Sequence, residues 1–125
     1  MNHPIKILLY EDDPDTTILL KMLLTSRGFE LVNYDEVDNY KNDILLNQPD
    51  VIIMDLRIPK IGGAEVTASI KSDEKLKNIP VILYSADLQV EQIGKEVKAD
   101  AIVKKPFDIH ELVKIINDQA QKKTD

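Results

Sequence analysis

The sequence predicts a doubly wound α/β domain, a five-stranded parallel sheet with five helices covering both faces. Three observations predict it. Five short apolar runs recur at wide, regular intervals. Helix-period stretches fill the gaps, so the order is β-α repeated five times, the pattern of a parallel sheet with crossover helices. Three of the runs are nearly continuous β-branched and leucine segments, as strands covered on both faces require.

The first strand covers residues 5–10. Asp13-Pro14 then opens the first helix, a cap acceptor followed by proline at the first helical position. Ile18, Leu19, Met22 and Leu23 recur at helical spacing and are expected to form its buried face. Gly28 ends it. The second strand, residues 29–34, alternates more and is expected nearer an edge. Val37, Tyr40, Ile44 and Leu45 outline the second helix, which stops before Pro49. Residues 51–54 are the third strand, and Ala64, Val66 and Ile70 outline the third helix. Residues 81–84 are the fourth strand. Val90, Ile93 and Val97 give the fourth helix, weakened by Gly94. Residues 101–103 are the fifth strand. Ile109, Leu112, Val113 and Ile116 give the cleanest helical pattern, opened by Asp108 and Glu111 three apart. From Gln119 the chain reads as loose and polar, so the domain is expected over residues 1–120 with a polar tail at 121–125.

Composition narrows the function. The 125 residues are one domain's worth, with 43 % hydrophobic and 30 % charged residues, as in a globular protein. The net charge of −6 argues against direct binding of nucleic acid. The absence of cysteine excludes disulfides, zinc–thiolate sites and a cysteine nucleophile. No apolar run approaches a membrane span, and the start of the chain lacks a signal-peptide stretch. A cytoplasmic domain with no membrane partner is the expectation.

Open α/β sheets gather function at the carboxyl ends of their strands. Here the first strand ends in Glu11-Asp12-Asp13, the third in Asp55, the fourth in Ser85-Ala86 and the fifth in Lys104-Lys105-Pro106. Carboxylates from two strands, a hydroxyl and an ammonium are therefore expected at one rim. Glu11, Asp12 and Asp55 cannot all ionise cheaply without a cation. A hard divalent ion such as Mg²⁺, held by oxygen ligands, meets that need. One carboxylate is then left to attack phosphorus, with Lys105 as a point charge for phosphate oxygen and Ser85 as a hydroxyl hydrogen bond.

These residues resemble the receiver domain of bacterial two-component response regulators, including the single-domain chemotaxis type. The resemblance runs from about Ile5 to Ala120. It rests on Leu8-Leu9-Tyr10-Glu11-Asp12-Asp13, on Met54-Asp55-Leu56-Arg57-Ile58-Pro59 with Gly63, on Ser85-Ala86 and on Lys105-Pro106-Phe107. It implies a flavodoxin-like sheet of strand order 2-1-3-4-5. It implies Asp55 as the residue phosphorylated by a sensor histidine kinase or phosphotransfer protein. Glu11 and Asp12 correspond to the acidic pair that holds Mg²⁺ with Asp55 and the backbone carbonyl of Arg57. Ser85 corresponds to the hydroxyl that follows the phosphoryl group, and Lys105 to the conserved lysine, with a cis bond to Pro106. The face of the fourth helix, fifth strand and fifth helix would then dock a downstream protein. Such a chain is a signalling switch, catalysing only its own aspartyl phosphorylation and dephosphorylation.

The sequence departs from the pattern at Ile102, where the family usually carries an aromatic residue, and at Gly62, where an Asp is common. Tyr84 alternates to another face from Ser85 and is not expected to substitute for the aromatic. Arg57 and Asp87 occupy variable rim positions and are expected to pair over the site, slowing attack by water. Ile102 keeps a docking-only receiver as an alternative. An aspartate-nucleophile phosphatase ranks lower, because such sites want Asp where Arg57 stands. A flavin-binding module ranks lower too, because Glu11-Asp12-Asp13 repels a flavin phosphate. Asp13 reads as a cap, Lys104, His3 and His110 as surface groups, and Asp35, Glu36 and Asp38 as a solvated helix start.

Overall fold

A computed structural model describes residues 3–124. Met1, Asn2 and Asp125, the last residue of the expected tail, lie outside the described residues. The elements are β1 (Lys6–Tyr10), α1 (Pro14–Thr25), β2 (Glu30–Tyr34), α2 (Tyr40–Asn47), β3 (Val51–Asp55), α3 (Gly63–Ser72), β4 (Val81–Ser85), α4 (Val90–Val97), β5 (Ala101–Lys104) and α5 (Ile109–Thr124). All strand pairs are parallel, in the order β2-β1-β3-β4-β5. The edge strand β2 is only partly buried, whereas β3 and β4 are buried throughout. The chain leaves β1 towards β2 and returns on its other side at β3, which opens a crevice at the carboxyl ends of β1 and β3.

Strand alternation divides the core in two. Ile7, Leu9, Ile53, Ile82, Tyr84 and Val103 face Leu20 and Leu24 of α1 and Leu112 and Ile116 of α5. Leu8, Tyr10, Ile52, Met54 and Leu83 face Ile44 of α2, Val66 and Ile70 of α3 and Val90 of α4. The register pairs Tyr10 with Met54, Asp55 with Tyr84 and Ser85 with Lys104, so the strand ends arrive level with one another.

The helices depart from the sequence reading in four places. In α1 the buried residues are Leu20 and Leu24, while Ile18, Leu19 and Met22 are 58, 50 and 65 % exposed. Every residue from 18 to 24 except Lys21 is apolar, so periodicity alone does not choose the helix phase. In α2 Ile44 is buried but Leu45 is exposed. Val37 is buried ahead of the helix, in an isolated bridge to Lys60. α5 continues through the segment read as loose: Gln119 and Ala120 are buried, and Gln119 donates a hydrogen bond to the Asp100 carbonyl. Gly94 also makes a close contact that the sequence does not announce. A Cβ there would lie 2.6 Å from Cδ1 of Ile102.

The turns behave as their residues dictate. Asp13 caps α1 by accepting from Thr16 N–H at 2.9 Å. Asp108 does the same for α5, accepting from His110 N–H at 2.7 Å. Lys105-Pro106 is cis.

Candidate functional site

Four strand ends meet at the crevice. Glu11 follows β1, and its N–H donates to Tyr34 O at 3.1 Å, which extends the ladder and fixes the start of the acidic loop. Asp55 is the last residue of β3. Behind it the chain turns tightly, and Gly63 N–H donates to Leu56 O at 3.1 Å. A Cβ at Gly63 would run into the Asp55 carbonyl oxygen and lie 2.9 Å from Leu56 Cα, so this close approach admits only glycine. Ser85 ends β4. Lys105 follows β5, its N–H donating to Ser85 O at 3.0 Å.

The carboxylates of Glu11, Asp12 and Asp55 converge, with oxygens from the three lying within 4.8 Å of one another. Glu11 is 1 % and Asp55 6 % exposed, while Asp12 faces solvent. Such a set of hard oxygen donors suits a divalent cation of the magnesium type. Lys105 Nζ stands 3.3 Å from Glu11 Oε1 and 3.6 Å from Asp55 Oδ2, over the Tyr84 ring at 4.3 Å from its centre. Ser85 Oγ accepts from Asp87 N–H at 3.0 Å, which leaves its own O–H as a donor. Arg57 N–H donates to Asp55 Oδ1 at 3.1 Å. The Arg57 side chain reaches across to Asp87, Nη2 to Oδ2 at 3.1 Å, so the rim pair expected from the sequence forms.

The two buried carboxyls are driven in opposite directions. Burial raises Asp55, and the Glu11 charge raises it further, against the lowering effect of Arg57 N–H and of Lys105. Burial also works to raise Glu11, but hydrogen bonds from Tyr84 and Asp13 N–H, with the Lys105 charge, outweigh it and leave the carboxyl lowered. Hydrogen bonds from Gln89 N–H and Arg57 hold Asp87 low as well.

Tyr84 belongs to this site although the sequence reading set it aside. Its O–H donates to Glu11 Oε1. The alternation was right: Tyr84 does turn to the α1/α5 face, away from Ser85. Glu11 turns to that face too, because it continues the series Ile7, Leu9. That shared parity was the available signal. Lys104 pairs with Glu91 at 2.6 Å outside the site, and His3 and His110 lie apart from it. Glu36 and Asp38 are not merely solvated, since both pair with Lys60, at 3.1 and 3.9 Å.

Five parallel strands in this order define a doubly wound domain, with an acidic cluster at the point where the strand order reverses. The family model described as the response regulator receiver domain matches residues 7–117. The chain belongs to that family. It is 33 % identical over 112 residues to the DNA-binding dual master transcriptional regulator RpaA of Synechocystis, covering 86 % of this chain and 46 % of that protein. It is 26 % identical to the polar-differentiation response regulator DivK of Brucella anthropi, covering 90 % of this chain and 94 % of that one. The chain thus spans about half of the first relative and nearly all of the second. A putative response regulator from Chloroflexus aurantiacus superposes with a TM-score of 0.88 at 24 % identity, covering 94 % of this chain and 98 % of the other. Among the described residues no helix is long and apolar enough to cross a membrane.

Proposed function

We propose that this receiver domain, residues 1–120 followed by a polar end, is a phosphorylation-dependent switch of a two-component system. Asp55 accepts a phosphoryl group from a histidine kinase or phosphotransfer protein. One observation carries the reading: a nearly buried Asp55, its two oxygens engaged by Arg57 N–H and facing Lys105, stands within the three-carboxylate cluster. In the transfer, an Asp55 oxygen bonds to phosphorus as the bond from phosphorus to the donor breaks. Lys105 offers charge to the phosphoryl oxygens, and the free O–H of Ser85 offers a hydrogen bond. Glu11, Asp12, Asp55 and the Arg57 carbonyl would hold Mg²⁺, which supplies charge neutralisation of the transferring group. Phosphorylation adds negative charge and acceptor oxygens at Asp55. The face of α4, β5 and α5 then changes its affinity for a downstream protein, in the cytoplasm.

A docking-only receiver is the second reading. It is favoured by Ile102, which fills the notch at Gly94 where the family carries a switching aromatic. Intact mass after incubation with acetyl phosphate and Mg²⁺ separates the two. The switch gains one phosphoryl group, and it loses that gain without Mg²⁺ or with Asp55→Asn. No gain under any condition overturns the switch in favour of docking alone.

A further inference from the structure

We propose that Tyr84 is a positioning residue that holds down the metal affinity of the acidic cluster by occupying an oxygen of Glu11. The inference rests on the metal-binding part of the proposed function.

Both oxygens of Glu11 are already taken by donors. Oε1 receives the Tyr84 O–H, with Lys105 Nζ at 3.3 Å, and Oε2 receives Asp13 N–H at 2.9 Å. An ionised carboxylate offers about four lone-pair directions. Three donors leave little of Glu11's charge for a cation beside Asp12 and Asp55. The phenol is built into this role. Tyr84 is 1 % exposed, and its ring packs in the α1/α5 core, so the hydroxyl has no solvent to turn to. A buried phenol without an acceptor is costly, which ties the hydroxyl to Glu11. Below the hydroxyl, the ring face carries Lys105 Nζ at 4.3 Å. One side chain therefore restrains both the carboxylate and the ammonium. Asp55 takes no bond from Tyr84: its Oδ1 accepts from Arg57 N–H at 3.1 Å, and its Oδ2 faces Lys105 Nζ at 3.6 Å.

The test compares Mg²⁺ dissociation constants of the wild-type chain and Tyr84→Phe by calorimetric titration. The substitution keeps the ring beneath Lys105 and removes only the hydroxyl. The expected result is Mg²⁺ binding tighter by about five-fold, because a charge-assisted hydrogen bond no longer competes for Glu11 Oε1. A merely structural role for Tyr84 would weaken binding or leave it unchanged, so either result overturns the inference. Absence of Mg²⁺ binding in both chains overturns the metal reading and the inference together, whereas equal, measurable affinities overturn the inference alone. A second readout needs only the wild-type chain as its own reference. The sequence has four tyrosines and no tryptophan, so tyrosine absorption is unobscured. Mg²⁺ is expected to perturb that absorption in wild type, and a spectrum insensitive to bound Mg²⁺ counts against the inference.

Discussion

At the scale of single residues, the site is an imbalance of charge that the protein tolerates for its function. Three carboxylates face one ammonium, and the burden falls on Asp55, whose carboxyl is raised by burial and by Glu11. A raised carboxyl binds its proton more tightly in the folded chain than in the unfolded one. Asp55 therefore costs stability at neutral pH, and the cost is relieved as pH falls through the raised value. With metal chelated, Asp55→Asn should melt above wild type at neutral pH, with the gap closing as the solution is acidified. Glu11 has the opposite sign. Its carboxyl is lowered, so its stabilisation is present above the ordinary carboxylate range and lost as pH falls through its folded value. Glu11→Gln should cost about 2 kcal/mol at neutral pH and progressively less in acid, as read by denaturant melts. At the rim, the Arg57–Asp87 pair is exposed and contributes little to stability, so its effect belongs to access by water. The double substitution Arg57→Ala, Asp87→Ala should shorten the phosphoryl half-life about threefold or more, and an unchanged half-life would remove the pair from the account.

At the scale of the elements, packing decides what periodicity does not. In α1 the pattern fits several faces, and the core selects Leu20 and Leu24. Leu20→Ala and Leu24→Ala should each cost about 2–5 kcal/mol. Ile18→Ala and Met22→Ala should stay within about 0.5 kcal/mol, and equal costs for the two sets would contradict the helix phase. Two glycines make a second comparison. Gly63 meets backbone, which has nowhere to go, and Gly63→Ala should cost about 2–3 kcal/mol. Gly94 meets the end of the Ile102 side chain, which can turn aside, so Gly94→Ala should cost less. In an Ile102→Ala background the clash is gone, and Gly94→Ala should instead stabilise by up to about 1 kcal/mol, the helix propensity of alanine over glycine. That change of sign, read from thermal melts, separates a packing notch from a flexible joint.

At the scale of the whole molecule, the sheet turns four distant stretches of sequence into one rim. Alternation of strands and helices was legible because every strand has its own apolar run and most helices their own cap. The rim was legible for the same reason, since Asp55, Ser85 and Lys105 each mark the end of a run. Tyr84 was hidden because its neighbour Ser85 drew the reading to the other face, and only the parity of Glu11 shows that the two side chains meet. The Gly94–Ile102 contact was hidden because it joins α4 to β5, and nothing within either segment announces it. The polar Gln119 hides the end of α5, because its side chain is buried and its amide nitrogen donates to the Asp100 carbonyl.

The central claim is that this rim delivers a phosphoryl group to Asp55 and to no other residue. Locating the acyl phosphate tests it most directly. After treatment with acetyl phosphate and Mg²⁺, borohydride reduces an aspartyl phosphate to homoserine, and peptide mass spectrometry finds the position. The account predicts homoserine at position 55 alone, dependent on Mg²⁺ and lost with Lys105→Ala at equal exposure time. Reduction at Asp12, Asp13 or any other carboxylate, or none at all, would contradict it.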